Sequence, residues 1–208
     1  MKHLKRILVA TGNAHKMEEI RAILGEIGVP VVSMKEAGVC AEIREDGRTF
    51  AENAVIKARA VCEASGEAAM ADDSGLVVDA LGGKPGIYSS RWLGEDTSYH
   101  VKNAELIRLL DGVEGSARSA RFVCAIACVF PDGTELVTEE AFEGAIGYEE
   151  RGENGFGYDP VFYLPDKGVY SAELSPEEKN TLSHRGKALR AMKEKLIRLG
   201  GLGEGTDA

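Results

Sequence analysis

Apolar residues in the first 65 positions follow the spacings of alternating strands and helices. Residues 6–10 contain an unbroken apolar run, which predicts a short buried strand. Apolar residues then recur every three or four positions between residues 17 and 27, the spacing of an amphipathic helix. Residues 30–34 predict a second strand, and a capping box that begins at Thr49 predicts a helix reaching about residue 65.

The second half of the chain is richer in strand patterns. A helix is predicted from about residue 98 to residue 110, and the runs 120–130 and 135–141 predict a hairpin around a Pro-Asp-Gly-Thr turn. Ser175, followed by proline, predicts another helix start, and Ser183 predicts the start of the last helix. Strands that alternate with helices predict an α/β fold with a central sheet.

Two adjacent carboxylates interrupt this pattern in its most apolar part. The sequence Asp-Asp-Ser-Gly at residues 72–75 separates the runs 68–71 and 76–78, which predicts a turn between two short strands. Neighbouring carboxylates at the edge of a core repel each other unless a proton, a cation or several hydrogen bonds offset their charge. Mg²⁺ is the usual cation where phosphate oxygens also take part. For such a segment alone, an Asx-type turn with one solvated Asp is the commoner interpretation.

Composition and charge exclude several classes of protein. Hydrophobic residues make up 44% and charged residues 28%, an ordinary globular balance. The formal net charge of -9 argues against a sequence-independent nucleic-acid binder, which needs a basic face. No apolar run approaches transmembrane length and no signal peptide is apparent, so a cytoplasmic protein without membrane contact is expected. The four cysteines lack C-x-x-C spacing, and Cys124 and Cys128 are expected to be small core residues.

The segment from Thr11 to Lys16 lies between the first predicted strand and the first predicted helix. Backbone N–H groups, the helix N-terminus and the Lys16 ammonium can together hold phosphate oxygens. The segment is not a Walker P-loop, because the second glycine and the final hydroxyl are missing. By itself such a segment is more often an ordinary N-cap.

Glu45 lies in a polar loop before the second predicted helix, where capping does not explain an acidic residue, so it is a candidate metal ligand. Glu52 in the first turn is explained by the helix dipole. Lys57 lies one turn beyond Asn53 on the same face, where it can reach an anion near the helix start. Taken alone, a solvated side chain is the commoner interpretation of Lys57.

A loop with three glycines around two aromatic residues covers residues 152–160. Such a loop allows its backbone to approach a planar ligand closely, and Phe156 offers a stacking face. A tight turn with aromatic side chains in the core explains it equally well. His184 and Arg185 follow at a predicted helix start, where the helix dipole disfavours cations, so a negative or accepting group is expected beside them.

Six motifs occur in one order along the chain. They are Thr11-Gly12-Asn13-x-x-Lys16, Phe50-x-Glu52-Asn53-Ala54, Ala71-Asp72-Asp73-Ser74-Gly75-Leu76, Pro85-Gly86-Ile87-Tyr88-Ser89, Gly155-Phe156-Gly157-Tyr158-Asp159-Pro160 and Ser183-His184-Arg185-Gly186. In this order the chain resembles the inosine/xanthosine triphosphate pyrophosphatase family, the dITP/XTP pyrophosphatases that hydrolyse deaminated purine nucleoside triphosphates. The resemblance covers nearly the whole chain. Six motifs that occur in the family's order are far more specific than any single motif.

The resemblance implies an elongated two-lobed α/β fold, with a long central mixed β-sheet flanked by helices and a cleft between the lobes. It also implies a homodimer, a Mg²⁺ requirement and a purine nucleoside triphosphate as the binding partner. One such domain is expected over residues 1–199, with a disordered tail at 200–208.

The resemblance also implies a role for individual residues. Asp73 is implied as the catalytic proton acceptor, and Glu45 and Asp73 as the metal ligands. The implied phosphate-binding residues are Thr11, Gly12, Asn13, Ala14, His15 and Lys16. The implied further substrate-binding residues are Ser74, Phe156, Gly157, Tyr158, Asp159, Lys179, His184 and Arg185.

The expected reaction is hydrolysis of ITP, dITP or XTP to the monophosphate and pyrophosphate. His184 and Arg185 are expected to donate hydrogen bonds to the 6-keto group of the base, which adenine lacks. Two alternatives remain at this point: a Maf-like pyrophosphatase that acts on modified pyrimidine triphosphates, and a nucleotide-binding sensor without turnover. The acids Glu45, Asp72 and Asp73 are all present, which disfavours the sensor.

Overall fold

The computed structural model describes residues 4–200 as an α/β fold. Its α-helices are α1 (Ala14–Leu24), α2 (Phe50–Ser65), α3 (Tyr99–Leu109), α4 (Pro176–Leu182) and α5 (His184–Gly200). Its strands are β1 (Ile7–Val9), β2 (Val31–Ser33), β3 (Ala69–Val78), β4 (Ser119–Val129), β5 (Glu135–Ile146), β6 (Phe162–Leu164) and β7 (Val169–Tyr170). The order of α1 to α5 and of β1 to β5 agrees with the hydrophobic pattern of the sequence, which does not predict β6 and β7.

The strands form a seven-stranded sheet in the order β2-β1-β3-β4-β5-β6-β7. Strand β1 pairs in parallel with both β2 and β3, whereas β6 pairs antiparallel with both β5 and β7. The sheet is therefore mixed, and the predicted α/β fold with a central mixed sheet and flanking helices is confirmed.

Strand β3 differs from the prediction. The Asp-Asp-Ser-Gly segment does not turn the chain, because β3 continues from Ala69 to Val78 through both carboxylates. Turn propensity is a local preference, and here β3 has strand neighbours on both sides and its carboxylates have cationic partners. Strand β5 is also longer than predicted, since it extends past residue 141 to Ile146.

The helix starts agree with the sequence signals. The side chains of Asn13, Thr49, Ser98 and Ser175 cap α1, α2, α3 and α4 by accepting a backbone N–H from the first turn. In the predicted capping box of α2, the Thr49 side chain accepts from the N–H of Glu52 as expected. The Glu52 carboxylate, however, accepts from the N–H of Arg48 and not from that of Thr49.

The chain divides into two compact units. The first unit comprises the described parts of Met1–Asp73, Cys124–Glu140 and Arg185–Ala208. One side of its sheet strands packs against α1 and α5. The buried core residues on this side are Ile7, Val9, Met17, Ile20, Leu24, Met70, Cys124, Ile126, Cys128, Leu189, Met192 and Leu196. The prediction that Cys124 and Cys128 are core residues is confirmed.

The second unit comprises Ser74–Val123 and Ala141–His184. Its core combines α3 with aromatic side chains, among which Phe122 and Phe162 have ring centroids 4.5 Å apart. Arg118 lies in this unit with 2% of its surface exposed and donates to four backbone carbonyls, those of Leu110, Val113, Ile146 and Gly147. These bonds satisfy a buried cation and tie the end of α3 to the end of β5.

Two predictions concern the ends and the environment of the chain. Gly200 belongs to α5, so the tail does not begin there, and residues 201–208 of the predicted tail lie outside the described residues. Within residues 4–200, the helices are too short or too polar to cross a membrane. The single two-lobed domain and its cleft stay predictions.

Candidate active site

The connection from β1 to α1 presents an exposed helix N-terminus. Asn13 Oδ1 accepts from the N–H of Lys16 at 3.2 Å, and Thr11 Oγ1 accepts from the N–H of Asn13 at 3.1 Å. Residues 12–15 are exposed, and the first turn of α1 contains no acidic residue. A helix start with its positive dipole end in solvent and a lysine in its first turn is suited to an anion.

Asp72 lies at the centre of a buried charge cluster in the first unit. Its Oδ2 is 2.9 Å from Lys16 Nζ and 3.3 Å from Arg185 Nε, and only 3% of the residue is exposed. Arg185 Nη1 also donates to Glu19 Oε2 at 2.6 Å. Burial alone raises the pKa of the Asp72 carboxyl, but Lys16 and Arg185 outweigh burial and hold this pKa below its ordinary value. Asp72 is therefore a permanent counter-ion.

Asp73 has different partners. Its Oδ1 is 2.7 Å from Lys57 Nζ, and its Oδ2 accepts from Asn53 Nδ2 at 3.3 Å. Burial is the largest influence on the carboxyl and raises its pKa, and Lys57 only partly offsets this rise. Asp73 is therefore a stronger base than an ordinary aspartate.

The loop that carries Glu45 is attached to the same side chains. Glu45 Oε1 lies 3.6 Å from Lys57 Nζ, and Asn53 Oδ1 accepts from the N–H of Gly47 at 2.9 Å. A Cβ at Gly47 would lie 2.6 Å from Asn53 Oδ1, so this close approach requires glycine. Lys57 thus joins two carboxylates, those of Glu45 and Asp73.

The different surroundings of the two aspartates follow from strand geometry. Successive side chains of a strand point to opposite faces, so Asp72 shares the face of Met70, which packs with α1 and α5. Asp73 points to the other face, where α2 supplies Asn53 and Lys57. Opposite pKa shifts of two neighbouring carboxyls are one arrangement by which catalytic sites divide roles between acids.

The glycine-rich loop of the second unit is organised around Asp159. This buried carboxylate accepts from Lys179 Nζ at 2.5 Å, from the N–H of Phe156 at 2.8 Å and from Ser171 Oγ at 2.9 Å. Gly155 has a φ of +77°, and a Cβ there would lie 2.4 Å from Asp159 Oδ2. Asp159 and Lys179 therefore shape the loop, and Lys179 Nζ lies 5.0 Å from the centre of the half-buried Phe156 ring.

Two further predicted site residues of this unit are buried among aromatic rings. Tyr158 donates from its hydroxyl to the carbonyl of Ser89 at 2.8 Å, and burial raises its pKa above the ordinary tyrosine value. His184 stacks on Phe122, with centroids 5.0 Å apart. Ser74 is half-buried in β3.

The predicted site residues are divided between the two units. Lys16, Asp73, Glu45 and Arg185 belong to the first unit, where Arg185 contacts Asp72. The negative groups expected beside Arg185 are Asp72 and Glu19. Among residues 4–200, no group of three or more His, Cys, Asp and Glu side chains is arranged to hold a metal ion.

Sequence reasoning missed the burial of Lys57 and the part played by Glu19. Lys57 is buried with 8% of its surface exposed, so the prediction of a solvated side chain was wrong. Its position four residues after Asn53 on α2 was the available signal, since residues i and i+4 share a helix face. Glu19, three residues after Lys16 on α1, was not singled out.

Comparison with known proteins agrees with the family that the motifs indicate. The model of the Ham1 family matches residues 7–195. The dITP/XTP pyrophosphatase of Geobacillus kaustophilus is 49% identical over 191 residues, which cover 92% of this chain and 94% of the relative. The enzyme of the same name from Bacillus subtilis is 44% identical over 193 residues, which cover 93% of this chain and 98% of the relative.

Two solved structures are similar in fold and sequence. A HAM1 protein from Coxiella burnetii superposes with a TM-score of 0.86 at 39% identity, over 93% of this chain and 98% of that one. The Staphylococcus aureus Ham1 protein superposes with a TM-score of 0.84 at 37% identity, over 94% of this chain and 100% of that one. The match over nearly the whole chain, in sequence and in fold, shows that the protein belongs to the Ham1 family.

Proposed function

We propose that this protein hydrolyses deaminated purine nucleoside triphosphates, namely ITP, dITP and XTP, to the monophosphate and pyrophosphate. One observation carries the proposal: an exposed helix N-terminus with Lys16 belongs to the same unit as Asp73, a buried carboxylate whose pKa is raised and which contacts Lys57. The relatives named dITP/XTP pyrophosphatase support the choice of substrate.

The triphosphate is assigned to residues of the first unit. The N–H groups at the start of α1 and the Lys16 ammonium bind phosphate oxygens, and Asn13 holds that helix start in place. Arg185 remains in the proposal as a substrate-binding residue beside Lys16. Because Asp72 and Glu19 already offset the charges of Lys16 and Arg185, a phosphate does not enter an uncompensated positive pocket.

Asp73 is assigned to activate water. It accepts a proton as the water oxygen bonds to the α-phosphorus, and the bond from that phosphorus to the bridging oxygen of the β-phosphate breaks. Pyrophosphate leaves with the bonding electrons. Lys57 and Asn53 fix the orientation of the carboxylate, which is a requirement for efficient proton transfer.

A bound Mg²⁺ is part of the proposal, with Glu45 and Asp73 as its protein ligands. Both supply carboxylate oxygens, the donors that Mg²⁺ prefers, and both lie next to the same Lys57 ammonium. The raised pKa of Asp73 indicates a carboxylate that its protein partners do not fully compensate. When bound, the ion neutralises charge on the phosphates.

The purine base is assigned to residues of the second unit. Phe156 offers a half-buried ring for stacking, and the neighbouring Gly157 lets the backbone approach a planar ligand. Ser74, Tyr158 and His184 complete the proposed set. Asp159 and Lys179 act by holding the loop that carries Phe156.

A homodimer is proposed as the assembled state. Within residues 4–200, the exposed large hydrophobic side chains belong to the second unit, among them Tyr88 at 55%, Val101 at 51% and Tyr148 at 60%. A second copy of the chain is the partner that covers them in this proposal. Light scattering after size exclusion tests it, and a monomer at micromolar concentration contradicts it.

A pyrophosphate-release assay tests the proposed function. ITP, dITP, XTP, ATP, GTP and the pyrimidine triphosphates are compared at equal concentration, with and without Mg²⁺. Rapid release from the three deaminated purine nucleotides alone supports the proposal. Preference for pyrimidine nucleotides supports the Maf-like alternative, and binding without release supports the sensor.

A further inference from the structure

The first two turns of α3 contact the loop that carries Phe156. Asn103 Nδ2 donates to the carbonyl of Gly157 at 3.3 Å, and the ring of Tyr99 packs edge-to-face on Tyr158 with centroids 5.2 Å apart. A Cβ at Gly157 would lie 3.5 Å from the Tyr99 ring. The loop thus rests against one face of α3.

Asn103 is also held from the other side. Its Nδ2 donates to Glu150 Oε1 at 2.7 Å, while Glu150 Oε2 contacts His100 Nδ1 at 2.5 Å. Both partners of Nδ2 are acceptors, so the orientation of the amide is fixed, since a flipped amide would set oxygen against oxygen.

This orientation has a cost for the fold. Asn103 is 1% exposed, and within residues 4–200 no hydrogen-bond donor reaches its Oδ1. A buried acceptor without a donor destabilises the folded state. Leucine, of similar volume, avoids that cost but leaves the Gly157 carbonyl and Glu150 Oε1 without the Asn103 donor. What asparagine does supply is a donor for the Gly157 carbonyl.

We infer that Asn103 is a positioning residue, which orients the 155–158 loop for the purine base by holding the Gly157 carbonyl, with Glu150 fixing the Asn103 amide. The inference rests on the proposed function, because it assigns a partner to the proposed base-binding loop. Two further bonds connect the loop to α3 through residues 89–90: Tyr158 donates to the carbonyl of Ser89 at 2.8 Å, and Lys102 Nζ donates to the carbonyl of Ser90 at 2.6 Å.

The test compares Asn103→Leu with a matched control on the same helix. Leucine keeps the volume but removes both donor bonds. The control Glu105→Gln changes a carboxylate on α3 that pairs with the exposed Arg108. Hydrogen exchange of the Phe156 and Asp159 amides is measured without nucleotide, and kcat and KM are then measured for ITP and ATP.

In Asn103→Leu, these amides are expected to exchange about fivefold faster or more, since the loop loses its bond to α3. The KM for ITP is expected to rise about fivefold or more while kcat changes less than about twofold, because base binding and not chemistry is affected. A general loss of stability lowers the active fraction, and hence the apparent kcat, but leaves KM unchanged. A rise in KM alone therefore separates a positioning role from a merely structural one. Glu105→Gln is expected to match the wild type.

Glu150→Ala provides a second variant in case Asn103→Leu does not fold. Glu150 is partly exposed, and its removal releases the Asn103 amide, so smaller changes in the same direction are expected. Unchanged exchange in the folded variants overturns the inference, and so does faster exchange with unchanged KM. Failure of the proposed function is recognised separately, because the wild type then releases no pyrophosphate from ITP.

Discussion

Asp72 and Asp73 are adjacent in β3, yet their carboxylates bind different cations on opposite faces of the strand. Asp72 Oδ2 lies 2.9 Å from Lys16 Nζ, whereas Asp73 Oδ1 lies 2.7 Å from Lys57 Nζ. The first pair lowers the pKa of its carboxyl, and burial raises the pKa of the second. One strand thus carries two carboxyls whose pKa values are shifted in opposite directions.

Replacement of Asp73 by asparagine is expected to lower turnover of ITP by at least about a hundredfold, because the amide keeps the shape but cannot accept the proton. Turnover is measured at saturating Mg²⁺, and circular dichroism reports folding, which is expected to survive. Asp46→Asn is the matched control, since Asp46 is an exposed acid in the neighbouring loop. Near wild-type turnover in Asp73→Asn would remove Asp73 from the catalytic role.

Lys16→Ala is expected to reduce kcat/KM for every triphosphate by a similar factor, about tenfold to a hundredfold, because a charged contact to phosphate is lost and phosphates carry no base information. Lys35→Ala, at an exposed position outside the site, serves as the control. A selective loss for one base would contradict the assignment of Lys16 to the phosphates.

Gly12→Ala tests whether phosphate approaches the backbone at residue 12, because the substitution is expected to affect kcat/KM but not stability. A Cβ at Gly12 meets nothing within 4 Å, and its φ is not positive, so stability is expected to stay within about 0.5 kcal/mol of the wild type. If phosphate approaches this backbone closely, kcat/KM falls by about tenfold or more. Gly25→Ala, at the end of α1, also meets nothing within 4 Å and is expected to leave both quantities unchanged. Full activity of Gly12→Ala would place the phosphates elsewhere.

Arg185→Ala is expected to destabilise the protein by about 3–5 kcal/mol in urea unfolding, because it leaves the buried Asp72 and the partly buried Glu19 without this cation. Arg185→Lys retains a charge and is expected to lose less. Since Arg185 contacts Asp72 and Glu19, we expect kcat/KM for ITP and ATP to fall by similar factors in Arg185→Lys. A larger fall for ITP would instead support the hypothesis that Arg185 reads the 6-keto group.

The hydrogen bonds of Glu36 are expected to make the free energy of unfolding depend on pH in the acid range. Arg21 and the N–H and hydroxyl of Ser33 donate to its carboxylate and lower its pKa from 4.5 to about 2. A lowered folded-state pKa stabilises the protein above pH 4.5, and this stabilisation is lost as the pH falls toward 2. Glu36→Gln is therefore expected to unfold at lower urea concentration than the wild type at pH 7. The two midpoints are expected to converge near pH 2, and a constant difference between them would contradict this origin.

The sequence by itself determined the order of the helices and of strands β1 to β5, the helix caps and the family. Periodic apolar residues predict helices and strands because burial is periodic in both, and the caps at Asn13, Thr49 and Ser175 are local bonds within a few residues. The unexpected charge of Arg185 at a helix start also correctly predicted a nearby acid. Six ordered motifs named the family without any tertiary information.

Only the tertiary structure decided which basic side chain pairs with which acidic one. Lys57 and Asp73 are 16 residues apart and Arg185 and Asp72 are 113 apart, so no local pattern pairs them. Burial of Lys57 and the continuity of β3 through Asp72 and Asp73 depend on those long-range pairs, which outweigh the local preferences for a solvated lysine and a turn. The opposite pKa shifts of the two aspartates are therefore a property of the packed sheet.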